Sequence, residues 1–379
     1  MRIASVRLRN FRCFSSYDVD FDSPVVLLHG PNGSGKTSIL EALHFACYLR
    51  SFKTHLPKEL IRSGSEACGI GLNLVTQSFD TLNIQLSRKK KIIKLNDQNL
   101  TSYKELYDAY RAITITEDDL LTIQGAPSMR RSFLDTMVLL LNPSHASLSK
   151  RYKAILDNRN ALIARGQTDM DSYILWTDQL IQVGKKIQET RIETLALLKK
   201  EVQSLVGQVC LIPQELEMPL IVKYCYASPY SGVAVSESAQ DLMEKYPRLR
   251  ENEFRQKRTL FGAHLDDFNI TFLGKDCRIY GSRGQQKLVV FLLKLAQLQS
   301  MRAQDPLGAI LLVDDFMTDF DEERAEALLP LMTKLSTQVI LTSPIEGLLK
   351  KKLPSNAQSI ALSENFLLPP SLVQSETSL

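Results

Sequence analysis

The stretch Gly30-Pro31-Asn32-Gly33-Ser34-Gly35-Lys36-Thr37 decides the fold. It fits G-x-x-x-x-G-K-[ST], the spacing of a phosphate-binding loop. The apolar run Pro24–His29 before it reads as a buried strand. Ser38–Ala46 after it carries apolar residues at helical intervals. Glycines let backbone N–H groups wrap an anion, and the positive end of the following helix points at it. Lys36 is placed to reach the β- and γ-phosphates of a nucleotide and the Thr37 hydroxyl to ligate Mg²⁺.

The second half of a nucleotide site lies far along the chain. Ile310-Leu311-Leu312-Val313 is a buried strand that ends in Asp314-Asp315. Asp314 is placed to hold Mg²⁺ directly or through water, and Asp315 to orient or activate an attacking water. The bland alternative is that Asp315 only begins a turn. Asp is one methylene shorter than Glu, so a base at this position implies slow turnover. Gly281-Ser282-Arg283-Gly284-Gln285-Gln286-Lys287 precedes that strand and opens a helix over Lys287–Leu298, a second anion-binding element. In the ATP-cassette class such an element of one subunit closes over the nucleotide of another, through Ser282, Gly284 and Gln285 here. Thr318-Asp319-Phe320-Asp321 resembles the D-loop of that class.

Bulk properties narrow the rest. The chain has 379 residues, 44% of them hydrophobic, with a net charge of +4. That allows two or three domains and permits nucleic-acid binding without demanding it. No apolar run approaches the ~18 residues of a membrane span, and charges at Arg2 and Arg7 break any signal-peptide core. The expected location is the cytoplasm, without a membrane partner. Six cysteines are scattered without a C-x-x-C pair, which argues for reduced thiols over zinc or dithiol chemistry.

Residues 3–9 alternate as a half-buried strand, with Ile3, Ser5, Arg7 and Arg9 opposite Ala4, Val6 and Leu8. Strands are predicted over Tyr17–Phe21, Ile70–Val75, Thr81–Leu86 and Ile92–Leu95, with Arg88-Lys89-Lys90-Lys91 at a hairpin tip. That tip is either a solvated turn or a phosphate contact. Helical spacing covers Met129–Leu141, Ser147–Ala164 and Ser172–Val209, a helical arm packing on itself. Residues 211–250 are mixed. A helix over Glu322–Leu335, a buried strand over Gln338–Leu341 and a loose tail from Asn365 complete the chain.

The chain resembles the bacterial RecF family, recombination-repair proteins with an ATP-cassette, SMC-like head, over nearly its whole length. The segments that carry the likeness are Val6–Arg12, Arg50–Thr54, Glu59–Arg62 and Gly125–Asp135, the last fitting G-x-P-x-x-R-R-x-F-L-D. Tyr152, Asn158–Leu162, Gly262–Asp267 and Ser282–Lys287 add to it. Ala263 and Leu265 depart from the usual Pro and Arg, and Thr318–Asp321 departs from Ser-Glu-Leu-Asp. The resemblance implies an α/β ATP-cassette (P-loop NTPase) head with an antiparallel β subdomain and an inserted α-helical arm. The expected division is residues 1–126 and 256–365 for the head, 127–255 for the arm and 366–379 for the tail.

The resemblance also implies ATP and Mg²⁺ as cofactors and an ATP-dependent homodimer. It implies weak, DNA-dependent ATP hydrolysis and binding to double-stranded DNA or single-strand/double-strand junctions. RecR and RecO are the implied partners, in loading recombinase at gaps. By analogy with related heads, Arg12 is a candidate contact near the nucleotide, against a plain surface ion pair. Asp118 is a candidate in the loop that senses Mg²⁺, against a solvated turn. Thr342 falls where transporter ATPases place a switch histidine. His264 lacks a second His at ligand spacing and is expected to order the Asp266-Asp267 turn. Candidates for DNA phosphates are Arg88–Lys91, Arg62, Arg130, Arg131, Lys150 and Arg151, with Arg130 and Arg131 open to pairing with acids instead. Rival readings are a transporter subunit, which should lack such an arm, and a small-molecule kinase, which has no use for Ser282–Gln285. A third is a DNA clamp that binds ATP and barely cleaves it.

Overall fold

The protein is described from a computed structural model, which covers all residues except 76–78, 101–105, 107–109, 167–168, 209–219, 227–229, 231–237, 305–307, 317–321, 345–351 and 364–379. The Thr318–Asp321 element and the C-terminal tail therefore lie outside the described residues. The chain forms two compact units. One comprises Met1–Asp119, Gln208–Ile212 and Lys294–Leu379; the other comprises Leu120–Gly207 and Pro213–Leu293. The second unit thus holds residues 120–126 and 256–293, which the sequence-based division assigns to the head.

The first unit contains two sheets. Strands β1 (Arg2–Phe11), β2 (Phe14–Asp20), β4 (Ala67–Val75), β5 (Phe79–Ser87), β6 (Lys91–Leu95) and β7 (Gln98–Asn99) form one, in the order β2-β1-β4-β5-β6-β7. Its pairings are antiparallel. β1 departs from simple alternation. A register shift between Ile3 and Ser5 turns Ile3 into the same core as Val6 and Leu8. One extra residue at a bulge reverses the facing of all that follows. The tip is Arg88–Lys90, closed by Ser87 N–H donating to the Lys90 carbonyl at 2.8 Å; Lys91 already belongs to β6.

The second sheet is parallel, in the order β14-β3-β13-β12-β8, from β3 (Val25–His29), β8 (Ala112–Ile115), β12 (Ile310–Val313), β13 (Gln338–Ser343) and β14 (Gln358–Ala361). β12 and β13 are buried along their whole length. That explains their unbroken apolar runs, since both faces of such strands are covered. Helix α1 (Lys36–Tyr48) follows β3 and buries Ile39, Leu40, Leu43 and Phe45.

The second unit is mainly helical: α2 (Pro127–Leu141), α3 (His145–Ala164), α4 (Met170–Val206), α5 (Ala239–Lys245) and α6 (Leu249–Gln256). The 37 residues of α4 span roughly 55 Å at helical rise. Its apolar stripe, Leu180, Ile181, Val183 and Ile187, packs against Tyr152 and Ile155 of α3. The same unit holds a small antiparallel sheet, β11-β10-β9, from β9 (Leu220–Cys225), β10 (Asp267–Phe272) and β11 (Lys275–Asp276). Leu220 and Val222 along β9, and Phe268 and Ile270 along β10, are its alternating buried positions. Helix α7 (Arg283–Gln304) opens at Arg283, four residues before the predicted start. In the first unit, α8 (Glu322–Leu335) lies between β12 and β13 in sequence. Among the described residues, no helix is long and apolar enough to cross a membrane, and no cluster of three metal-ligating side chains occurs.

Candidate nucleotide-binding site

Parallel strands gather ligands at their C-terminal ends, and here β3, β13 and β12 end side by side. Thr342 and Ser343 stand opposite Leu28 and His29, and Val313 stands opposite Leu341. The glycine loop leaves β3 with Gly30, Gly33 and Gly35 at positive φ. Gly35 has φ +95°, and a Cβ there would come within 2.3 Å of Phe14 Cζ and 2.9 Å of Cys13 Sγ. Only glycine fits that close approach to β2 and the β1–β2 turn.

Lys36 opens α1, and its ammonium donates to the carbonyls of Gly30 and Pro31 at 2.7 and 2.8 Å. It is largely buried, and that burial depresses its pKa against the pull of Asp315 and Asp314. Thr37 Oγ1 donates to Asp314 Oδ1 at 3.0 Å, which joins the loop to the end of β12. Thr342 Oγ1 donates to the same oxygen at 2.8 Å and accepts from the Asp315 N–H at 2.7 Å. Burial pushes the Asp314 carboxyl up, and Asp315 adds to this, while Thr342, Thr37 and Lys53 pull the other way. Asp315 sits at φ +51°, a conformation non-glycine residues seldom take. Its Oδ1 and the Ser34 Oγ are buried without a hydrogen-bond partner.

These groups fit a nucleotide with a divalent cation. A desolvated pair of carboxylates favours a cation between them. An ammonium resting on loop carbonyls is a cation that phosphate oxygens can compete for, and orphaned buried polar atoms mark places where a partner is wanted.

Arg12 is brought onto α1. Its guanidinium donates to both Glu41 carboxylate oxygens, at 2.7 and 2.6 Å, and to the Glu59 carbonyl at 2.8 Å. Glu41 is fully buried and also accepts from the Ser51 hydroxyl. Asp118 is exposed on the single turn Glu117–Leu120, and no hydrogen bond joins it to Thr37 or Asp314. Its neighbour Asp119 is the engaged acid, accepting from Thr116 N–H at 2.8 Å and pairing with Lys294 at 2.7 Å. Glu41 and Asp119 were missed by sequence reasoning. Glu41 had no signal beyond its helical phase; Asp119 sat in an acidic run, Glu117-Asp118-Asp119, that offered three choices.

In the second unit, Ser282, Arg283, Gly284 and Gln285 form a reciprocal cap. Ser282 N–H donates to Gln285 Oε1 at 2.9 Å, and Gln285 N–H donates to Ser282 Oγ at 3.3 Å. This S-x-x-Q pairing fixes the start of α7 at Arg283. Ser282 and Arg283 are exposed, and the adjoining Ile279 and Tyr280 are 70% and 67% exposed. His264 pairs through Nδ1 with the Tyr152 hydroxyl at 2.9 Å. Among the proposed DNA contacts, Arg130 is bound through two nitrogens to Asp267, and Arg62 donates to the Cys13 carbonyl at 2.9 Å.

A family model described as an AAA domain matches residues 5–206. The DNA replication and repair protein RecF of Desulfitobacterium hafniense is 30% identical over 351 residues, which cover 90% of this chain and 93% of that protein. The chain belongs to the RecF family. The RecF protein of Bacillus subtilis is 28% identical over 353 residues, 92% of this chain and 95% of its own. The solved recombination mediator protein RecF-ATP of the RecFOR pathway superposes with a TM-score of 0.76 at 22% identity, covering 91% of this chain and 92% of that one. The Smc head domain of Pyrococcus furiosus gives 0.50 at 14% identity, covering 92% and 91%. Both likenesses bear out the expected fold, the ATP-cassette head with its added helical portion.

Proposed function

We propose that this chain is an ATP-dependent DNA-binding protein of recombinational repair and replication, in which bound nucleotide holds two copies together on DNA. The observation that carries the reading is the convergence of Lys36, Thr37, Asp314, Asp315 and Thr342 at one end of the parallel sheet. Its relatives, the DNA replication and repair protein RecF and the recombination mediator RecF-ATP of the RecFOR pathway, support the same reading.

MgATP supplies the charge that favours a closed pair of heads and the phosphate bond whose hydrolysis ends that preference. The N–H groups from Asn32 through Thr37 and the Lys36 ammonium bind its phosphates. Thr37 Oγ1 and Asp314 would hold a Mg²⁺, with Asp118 as a further candidate acid near it. Asp315 orients the attacking water, and its short side chain keeps turnover slow. Arg12, in the β1–β2 turn, is held on Glu41 of the helix that Lys36 opens and is the proposed contact near the nucleotide. Ser282, Gly284 and Gln285 of a second copy close the other side. DNA is held through its phosphates, as duplex or as a single-strand/double-strand junction. RecO and RecR are the proposed partners, acting in the cytoplasm.

Sedimentation with and without MgATP tests the reading. The expected result is a dimer that forms with MgATP and fails to form in Lys36→Met. A Lys36→Met protein that still dimerises on ATP contradicts it. Single-turnover phosphate release separates a slow ATPase from a clamp: release no faster than that of Asp315→Ala leaves only the clamp.

A further inference from the structure

The second unit contains a cavity of about 670 Å³ whose charged lining, among the described residues, is cationic, supplied by Arg131, Arg255 and Arg258. Among the described residues, the hydrogen bonds of the three guanidiniums go to neutral groups. Arg131 Nη1 donates to the Asp266 carbonyl at 2.8 Å, and Arg255 Nη2 donates to Asn252 Oδ1 at 2.8 Å. Arg258 shares Gln256 Oε1 from Nε and Nη2 at 3.4 and 3.2 Å.

The acids nearby hydrogen-bond to other groups, Asp266 through Oδ2 alone. Both Asp267 oxygens take Arg130, and both Asp135 oxygens take Arg191. The Asp266 carboxylate accepts from Tyr224 and Gln188, and Glu253 takes Arg159. Among the described residues, then, none of the three arginines has an ion pair. Burial depresses Arg131, and Arg191 adds to this, against the pull of Asp267, Asp135 and Asp266. Each guanidinium carries five N–H donors, so most remain available.

The backbone adds to this. Ala126, Pro127 and Ser128 line the same cavity and form the start of α2. That 15-residue helix has no side-chain cap and no acid in its first turn, so its positive end is uncompensated.

We propose that this cavity holds a phosphate of the DNA backbone. The proposal rests on the DNA-binding reading above and deepens it. A strand explains the lining better than a free nucleotide does, because the charge continues outside. Arg255, Lys257 and Arg258 are all exposed at the end of α6, and Arg248 lies exposed at its beginning. A single phosphate needs only the cavity; a chain of phosphates uses the rim as well.

The test is anisotropy of a fluorescein-labelled duplex across a salt series, with the full chain and MgATP. The variants are Arg255→Gln/Arg258→Gln, both at exposed positions, and Arg131→Gln, with thermal melts to confirm folding. A fluorescent ATP analogue is titrated into each. Each phosphate contact contributes about 0.9 to the slope of log affinity against log salt. The double variant should therefore lose at least about 0.9 of that slope, the share of the one phosphate held in the cavity, with ATP affinity unchanged. Wild-type and double-variant slopes that coincide overturn the cavity assignment alone. Loss of ATP binding with DNA binding intact assigns the cavity to a free nucleotide and overturns it too. A wild type that binds no DNA sinks both this proposal and the function it rests on.

Discussion

The Thr342 hydroxyl donates to Asp314 Oδ1 at 2.8 Å while accepting the Asp315 N–H at 2.7 Å. One buried hydroxyl at the end of β13 thus sets the orientation of both acids at the end of β12. Thr342→Val keeps the shape and removes both bonds. It leaves the Asp315 N–H unsatisfied, at a cost of about 1–3 kcal/mol. The expected outcome is a lower unfolding midpoint and weaker stabilisation by MgATP, with Thr342→Ser restoring both. A Thr342→Val protein that melts and binds MgATP like wild type would show that the acids hold their positions unaided.

The parts of this site legible in the sequence were those with fixed spacing. The glycine loop and the Val313-Asp314-Asp315 strand end needed only local pattern. Thr342 could be singled out by its place after a buried strand, but its two bonds depend on β12 and β13 being neighbours, and that is tertiary. Arg12 shows the same limit. The sequence left nucleotide contact and ion pair both open, and its partner Glu41 lies 29 residues away on another element. β9 and β10 were missed for a related reason, since each is a short strand whose partner is more than 40 residues distant. The start of α7 was placed late because Gly284 reads as loop. The Ser282–Gln285 cap outweighs the roughly 1 kcal/mol that a helical glycine costs.

Gly35→Ala should disable the loop without touching any phosphate-binding side chain. At φ +95° an alanine is strained by about 1–3 kcal/mol, and its Cβ would drive into Phe14 and Cys13. Thermal unfolding should shift down, and MgATP should give no stabilisation. Retention of wild-type ATP affinity would mean that the loop can move off β2 and the β1–β2 turn at no cost.

His264 gives the second unit a pH dependence. Burial holds its ring down to about 4, with Arg131, Arg159 and Arg191 all opposing a further charge. Because the folded pKa lies below the ordinary value of 6.5, the unfolded chain binds the extra proton first. Its stability contribution is complete above pH 6.5 and is lost as pH falls toward 4, by up to about 1.4 kcal/mol per unit. Urea unfolding at pH 7.5 and 5.5 should show wild type losing more stability than His264→Gln. Equal losses in the two proteins would place the ring's titration at its ordinary value.

Arg159 and Glu253 form a fully buried pair in the second unit, bonded at 3.0 and 2.6 Å. Thr177 and Thr259 occupy further guanidinium positions, and Tyr173 OH and Leu260 N–H donate to Glu253. With four of the five guanidinium N–H groups and both Glu253 oxygens bonded the network is tolerable, but neither charge can lose its partner cheaply. Arg159→Met and Glu253→Gln should each cost about 3–5 kcal/mol. The double variant should cost less than the sum, with a coupling of about 2–3 kcal/mol, because it leaves no lone charge behind. Equilibrium urea unfolding of the four proteins measures that coupling. Singles near 1 kcal/mol that simply add would mean that water reaches the pair, and that α3 and α6 are held together by Phe261, Leu249 and their apolar neighbours instead.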